Sequence, residues 1–97
     1  MQLFRTAHEH GTIIECEDFP NYFGFENIVH NSTTTQIWFM EDEGIEKCTS
    51  ISVHKHAFSP TGEVTIQIIA PSFNGTASEL ETEIELLQFA TAIANAH

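Results

Sequence analysis

Two His-x-His pairs, His8-x-His10 and His54-x-His56, are the side chains best suited to chemistry in this 97-residue chain. Residues two apart on a strand point the same way, so each pair would present two imidazoles together. Two such pairs on adjacent strands would offer zinc four nitrogen ligands. Three of them with Glu9 or Glu63 would leave one position open for water or substrate. This metal reading requires the two strands to be neighbours. If they are not, the pairs are solvent-facing strand ends, and both do lie near chain reversals.

Other reactive constellations are weaker. Cys16 and Cys48 are two thiols without a Cys-x-x-Cys pair, and there is no Gly-x-Ser-x-Gly elbow or Walker loop. A cysteine within a strand most simply acts as a small apolar residue. Glu41-Asp42-Glu43-Gly44-Ile45-Glu46 offers oxygen ligands but lacks the twelve-residue calcium-loop spacing. These observations favour a non-enzymatic protein.

Charge is the outlying property. Fourteen acids face three bases (Arg5, Lys47, Lys55), for a formal net charge of −11. Such a field repels nucleic acid and anionic membrane and attracts basic surfaces. The acids fall in three clusters: Glu15, Glu17 and Asp18; Glu41, Asp42, Glu43 and Glu46; and Glu79, Glu81, Glu83 and Glu85. In the last, Glu79/Glu83 and Glu81/Glu85 are like-charge pairs four apart, each costing roughly 0.2–0.5 kcal/mol on a helix. Their place in the first turns recovers part of that from the helix dipole. Soluble surfaces ordinarily mix signs, and here lysine is nearly absent. Carboxylates held on a rigid edge can imitate a phosphate backbone, and a basic groove would bind them.

The elements that must hold these groups are strands followed by one helix. Gln2–Ala7 and Thr12–Glu17 read as a hairpin around Gly11, which is expected to take positive φ. Asp18–Gly24 turns, with Phe19, Tyr22 and Phe23 folding back as a lid on the core. Phe25–His30 is a short strand. Thr35–Met40 is a strand apolar on both faces, as a central strand would be. Lys47–His56 and Glu63–Ala70 follow, the latter with Val64, Ile66, Ile68 and Ala70 inward. Ala77–Ala96 contains no glycine or proline and is the one long helix, capped by Thr76 or Ser78. Its inward stripe is read as Leu80, Ile84, Leu87, Thr91 and Ala94, at spacings of four and three. Short connections imply antiparallel pairing. The expected fold is thus a single α+β domain over residues 1–97. An antiparallel meander of four to six strands within 2–70 carries the helix over 77–96 on one face.

With that stripe inward, Phe89 and Ile93 are left on other sides of an apolar helix, and a homodimer through them is expected. No apolar run is long enough for a signal peptide or a membrane span, which points to a cytoplasmic protein with reduced cysteines. The leading functional expectation is an acidic protein-binding module that blocks a nucleic-acid-binding protein, such as a nuclease or a phage-defence complex, by DNA mimicry. Glu15, Glu17, Asp18, Glu41, Asp42, Glu43 and Glu46 would carry the contact, with Trp38, Tyr22 or Phe23 as apolar anchor. A zinc protein built on His8, His10, His54 and His56 is the alternative, and a structural subunit of a larger assembly is a third.

Overall fold

In a computed structural model the chain is α+β. Its strands are β1 (Leu3–His8), β2 (Gly11–Cys16), β3 (Tyr22–Val29), β4 (Ser32–Glu41), β5 (Gly44–His56) and β6 (Thr65–Ile69), and its helix is α1 (Ala77–Asn95). The structure describes residues 2–30, 32–41, 44–56 and 65–96, with backbone alone at 41, 44–46 and 65. The strands form one antiparallel sheet in chain order, β1-β2-β3-β4-β5-β6. The hairpin, the central strand β4 and the terminal helix are as the residue pattern implies. β3, β4 and β5 each begin at least three residues earlier than expected, because Tyr22–Gly24, Ser32–Thr34 and Gly44–Glu46 join the ladder. Residues 63 and 64 of the expected sixth strand lie outside the described residues.

Opposed residues of an antiparallel pair share a face. One face therefore carries Ile14, Gly24 and Ile37, with Thr35 and Val53 beside them; the other carries Ile13, Phe25, Gln36 and Ser52. α1 lies on the first. Leu86, Phe89, Ala90, Ile93 and Ala94 pack there with Ile14, Cys16, Phe19, Tyr22, Ile37, Ile51 and Val53. Phe19 and Tyr22 do fold back onto the core, their rings 5.3 and 6.5 Å from that of Phe89. Phe23 is buried on the opposite face, stacked with Trp38 at 6.3 Å.

Two local devices hold the backbone. β4 and β5 change register between Gln36 and Trp38, and the Ile37 carbonyl there accepts hydrogen bonds from Thr49 Oγ1 (2.9 Å) and Cys48 Sγ (3.5 Å). A bulge thus leaves no orphaned acceptor at Ile37. At the helix start, Thr76 and Glu79 form a capping box: the Glu79 amide donates to Thr76 Oγ1, and Glu79 Oε1 accepts from the Thr76 amide, each at 3.3 Å.

Four expectations are corrected. Of the expected inward stripe of α1, Ala94 is buried and Leu87 packs half-buried against the core, but Leu80, Ile84 and Thr91 are not inward. Leu80 and Ile84 are 41% and 47% exposed and Thr91 is exposed, whereas Phe89 and Ile93 are 0% and 2% exposed. Phe89 and Ile93 therefore belong to the core and cannot form a dimer interface. The reason is closeness: Ala90 and Ala94 let the helix approach, and Ile93 enters the space left by Gly24. A β-carbon on Gly24 would stand 2.9 Å from Thr35 Cγ2 and 3.2 Å from Ile93 Cδ1. Gly11 lies in extended backbone rather than at positive φ, and a β-carbon there would collide with the Glu26 carbonyl oxygen. It is His30, in the β3–β4 turn, that takes φ 57°. On β6, Ile66 and Ile68 share the helix face but remain 40% and 36% exposed, and Ala70 beyond it is exposed, so α1 covers this edge strand only in part.

Truncating Phe89 to Ala should cost about 3–5 kcal/mol, since a fully buried aromatic leaves a cavity under the helix. Gly24→Ala should cost about 1–3 kcal/mol by overpacking Thr35 and Ile93. Urea unfolding followed through Trp38 fluorescence measures both; a loss below 1 kcal/mol for Phe89→Ala would contradict this packing.

Candidate protein-binding surface

In a meander every second connection lies at the same end of the sheet. The β2–β3 turn, the β4–β5 turn and the segment from β6 into α1 therefore share one end. Glu17 and Asp18 are exposed in the first of these turns, and Glu15 is exposed at the end of β2. Glu41 closes β4, and Glu46 lies on β5 two residues beyond Gly44. Asp42 and Glu43 lie outside the described residues. α1 starts at this end, and its Glu79 and Glu83 line a cleft with Phe39 and Pro71. Acids separated by more than 60 positions in sequence thus converge. A hydrogen bond of 2.8 Å from the Met40 amide to the Asn21 carbonyl ties the end of β4 to the β2–β3 turn.

Apolar side chains interrupt the acids. Phe4 and Met40 are 46% and 40% exposed and, with Glu15, Cys16, Glu17 and Pro20, line a shallow cleft of about 380 Å³. This pair was not among the residues expected to anchor a partner. A parity argument on the turns, with Phe4 opposite Glu15 in the hairpin, would have found it. Trp38 lies on the same face of the sheet, half-buried, with its Nε1 enclosed and meeting no acceptor among the described residues. Leaving such a donor unpaired costs about 1–3 kcal/mol. Tyr22 and Phe23 are buried and are unavailable as anchors in this conformation.

The bases do little to neutralise this end. Arg5 is engaged by the Glu26 carboxylate at 3.0 Å. Lys55 lies near the far end of β5, where burial lowers its pKa and Glu26 opposes that shift. Lys47 is exposed at the start of β5, beside the cleft that Glu83 also lines. The helix dipole contributes partial positive charge where Glu79 stands in the first turn. Glu85 reaches inward, and Tyr22, buried against it, has its phenol pKa pushed up to about 12, first by burial and then by that carboxylate.

The described histidines occupy the opposite end. His8 closes β1, His10 and His30 sit in turns, and His54 and His56 close β5. The adjacency that a four-histidine zinc site requires is absent. β1 and β5 are four strand spacings apart, about 19 Å at 4.8 Å each. His8 and His10 are not on one strand either, since His10 belongs to the turn. Within the second pair the rings stack at 6.4 Å, and hydroxyl groups occupy them: His54 Nδ1 lies 3.2 Å from Thr34 Oγ1, His54 Nε2 3.1 Å from Ser52 Oγ, and His56 Nδ1 2.9 Å from Ser32 Oγ. Among the described residues no group of three or more His, Cys, Asp or Glu is placed to hold a metal. Glu63, the proposed additional ligand, lies outside them.

Both cysteines are free. Cys16 is in the core, and burial pushes the Cys48 thiol pKa up, away from a reactive thiolate. Among the described residues no helix is long and apolar enough to cross a membrane. No family model, curated protein or solved structure matches the chain.

Tyr22 is the only tyrosine, so tyrosinate absorbance reports it alone. Its ionisation should fall well above the ordinary 10, near about 12. The folded pKa is raised, so the stability linked to the neutral phenol is complete below pH 10 and is lost as pH rises through about 12. Tyr22→Phe should remove that alkaline dependence. Glu85→Gln should lower the pKa only part of the way, because burial is the larger cause; ionisation at an ordinary pH in the folded wild type would refute this environment.

Proposed function

We propose that the chain is a non-enzymatic, cytoplasmic protein-binding module that inhibits a nucleic-acid-binding protein by presenting carboxylates where phosphates would lie. The observation that carries this reading is the gathering of three sequence-distant acidic segments at one end of a rigid sheet. Exposed Phe4 and Met40 supply an apolar centre within an acidic rim, the usual anatomy of a protein interface. A net charge of −11 steers a basic partner toward this end and disfavours direct contact with DNA or RNA. In the inhibited complex Glu15, Glu17 and Asp18, with the acidic β4–β5 segment and the first turns of α1, would occupy the basic groove. DNA or RNA would then be excluded by competition for the same cations. A nuclease or a phage-defence complex is the kind of target this surface suits.

Untagged chain immobilised in nuclease-treated lysate at low salt tests the reading. A basic nucleic-acid-binding protein should be retained, should elute as salt rises, and should lose its nucleic-acid activity in the complex. The double variant Glu17→Lys with Asp18→Lys should weaken its affinity by about tenfold or more, since like charges opposed across an interface cost several kcal/mol. Retention that ignores both salt and charge reversal would rule the mimicry out.

A further inference from the structure

The outer edge of β6 is the least protected backbone in the described fold. β6 pairs with β5 on one side only, and no described segment hydrogen-bonds its other side. Edge strands are ordinarily guarded by charge, proline, a bulge or a cover, since free N–H and C=O groups template pairing with another chain. Thr65–Ile69 reads Thr-Ile-Gln-Ile-Ile and has none of the sequence guards. Ile66, Ile68 and Ile69 are 40%, 36% and 45% exposed, so the edge is apolar on both faces. The other edge differs, because β1 carries Arg5, paired to Glu26. No charged residue occurs from Val64 to Ser78, a long gap in so acidic a chain.

We infer that this edge is covered by the β6 of a second copy, paired antiparallel about a two-fold axis at Gln67. The strand is nearly palindromic about that residue, so Ile66 of one copy falls opposite Ile68 of the other, and four isoleucines meet on the helix face. Charge selects the same occupant and orientation. β6 runs from the histidine end of the sheet toward its acidic end, so antiparallel pairing points the two acidic ends in opposite directions. Each acidic end then lies toward the partner's histidine end, and two chains of charge −11 approach along their uncharged edges. A parallel partner would set acids beside acids. Five residues of ladder bury less than the ~1,600 Å² of a standard interface, so the dimer should dissociate on dilution within the micromolar range.

Sedimentation of the full chain over a dilution series tests this pairing. The wild type should double its mass as concentration rises, and amide exchange along β6 should slow in step. The variant Ile66→Lys with Ile68→Lys should remain a monomer; both positions are exposed by a third or more, so its circular dichroism should match the wild type. Should that variant fail to fold, Ile69→Lys on the opposite face makes the same test. A wild type that stays monomeric throughout overturns the proposal. So does a dimer that survives lysine on β6, or one that dissociates instead with Ile84→Lys on the helix.

Discussion

A helix about 10–12 Å across lies on a sheet whose six strands, about 4.8 Å apart, span about 24 Å. One helix cannot cover that width, and much of the molecule follows from how the shortfall is met. The helix commits its small residues to the sheet, so that Ala90 and Ala94 are buried and Ile93 fits over Gly24. Phe89 fills the remaining space toward the β2–β3 turn, where Phe19 and Tyr22 close over it. What the helix does not cover stays partly open: Ile66 and Ile68 on the β6 edge, and on the other face Phe4, Met40 and the half-buried Trp38.

The aromatic closure also links core and surface. Tyr22 packs on Phe89 and lies against Glu85, so the phenol is neutral where the acidic half of α1 passes over β3. The capping box fixes the start of that half. The glutamates of the first turns therefore project from a helix held at both its cap and its centre, and the charge they contribute has a defined position. Preorganised carboxylates lose less entropy on meeting a cationic groove than carboxylates on a loose tail would.

The strands were legible because alternation has period two and β-branched and aromatic residues dominate them, Thr35–Met40 most plainly. The helix was legible in extent but not in phase. Two neighbouring stripes each carry three large apolar residues, and burial centred on the one with Leu86, Phe89 and Ile93, where Ala90 and Ala94 allow close approach to a sheet bearing Gly24. Local periodicity does not contain the identity of the facing surface. The same limit applied to the histidines: each His-x-His pair is a local pattern, while their separation depends on strand order. The exposed Phe4 and Met40 were missed for a related reason. A large apolar residue on a strand reads as core until the coverage of that face is known.

The order of the strands does more than connect them. In a meander, side chains near odd-numbered turns collect at one end of the sheet and those near even-numbered turns at the other. In this chain the acids of the β2–β3 turn, the Glu41 and Glu46 positions that flank the β4–β5 connection and the acids of the helix start fall at one end, and His8, His10, His30, His54 and His56 fall at the other. The molecule is thus electrically polar along its strands. The first end carries a concentration of carboxylates that the second, with its imidazoles, lacks. That polarity means a basic partner is drawn to an end of the sheet, not to its faces, and leaves the uncharged β6 edge running between the two ends. A single connectivity therefore separates the surface suited to an electrostatic partner from the surface suited to backbone pairing, so that neither contact has to displace the other.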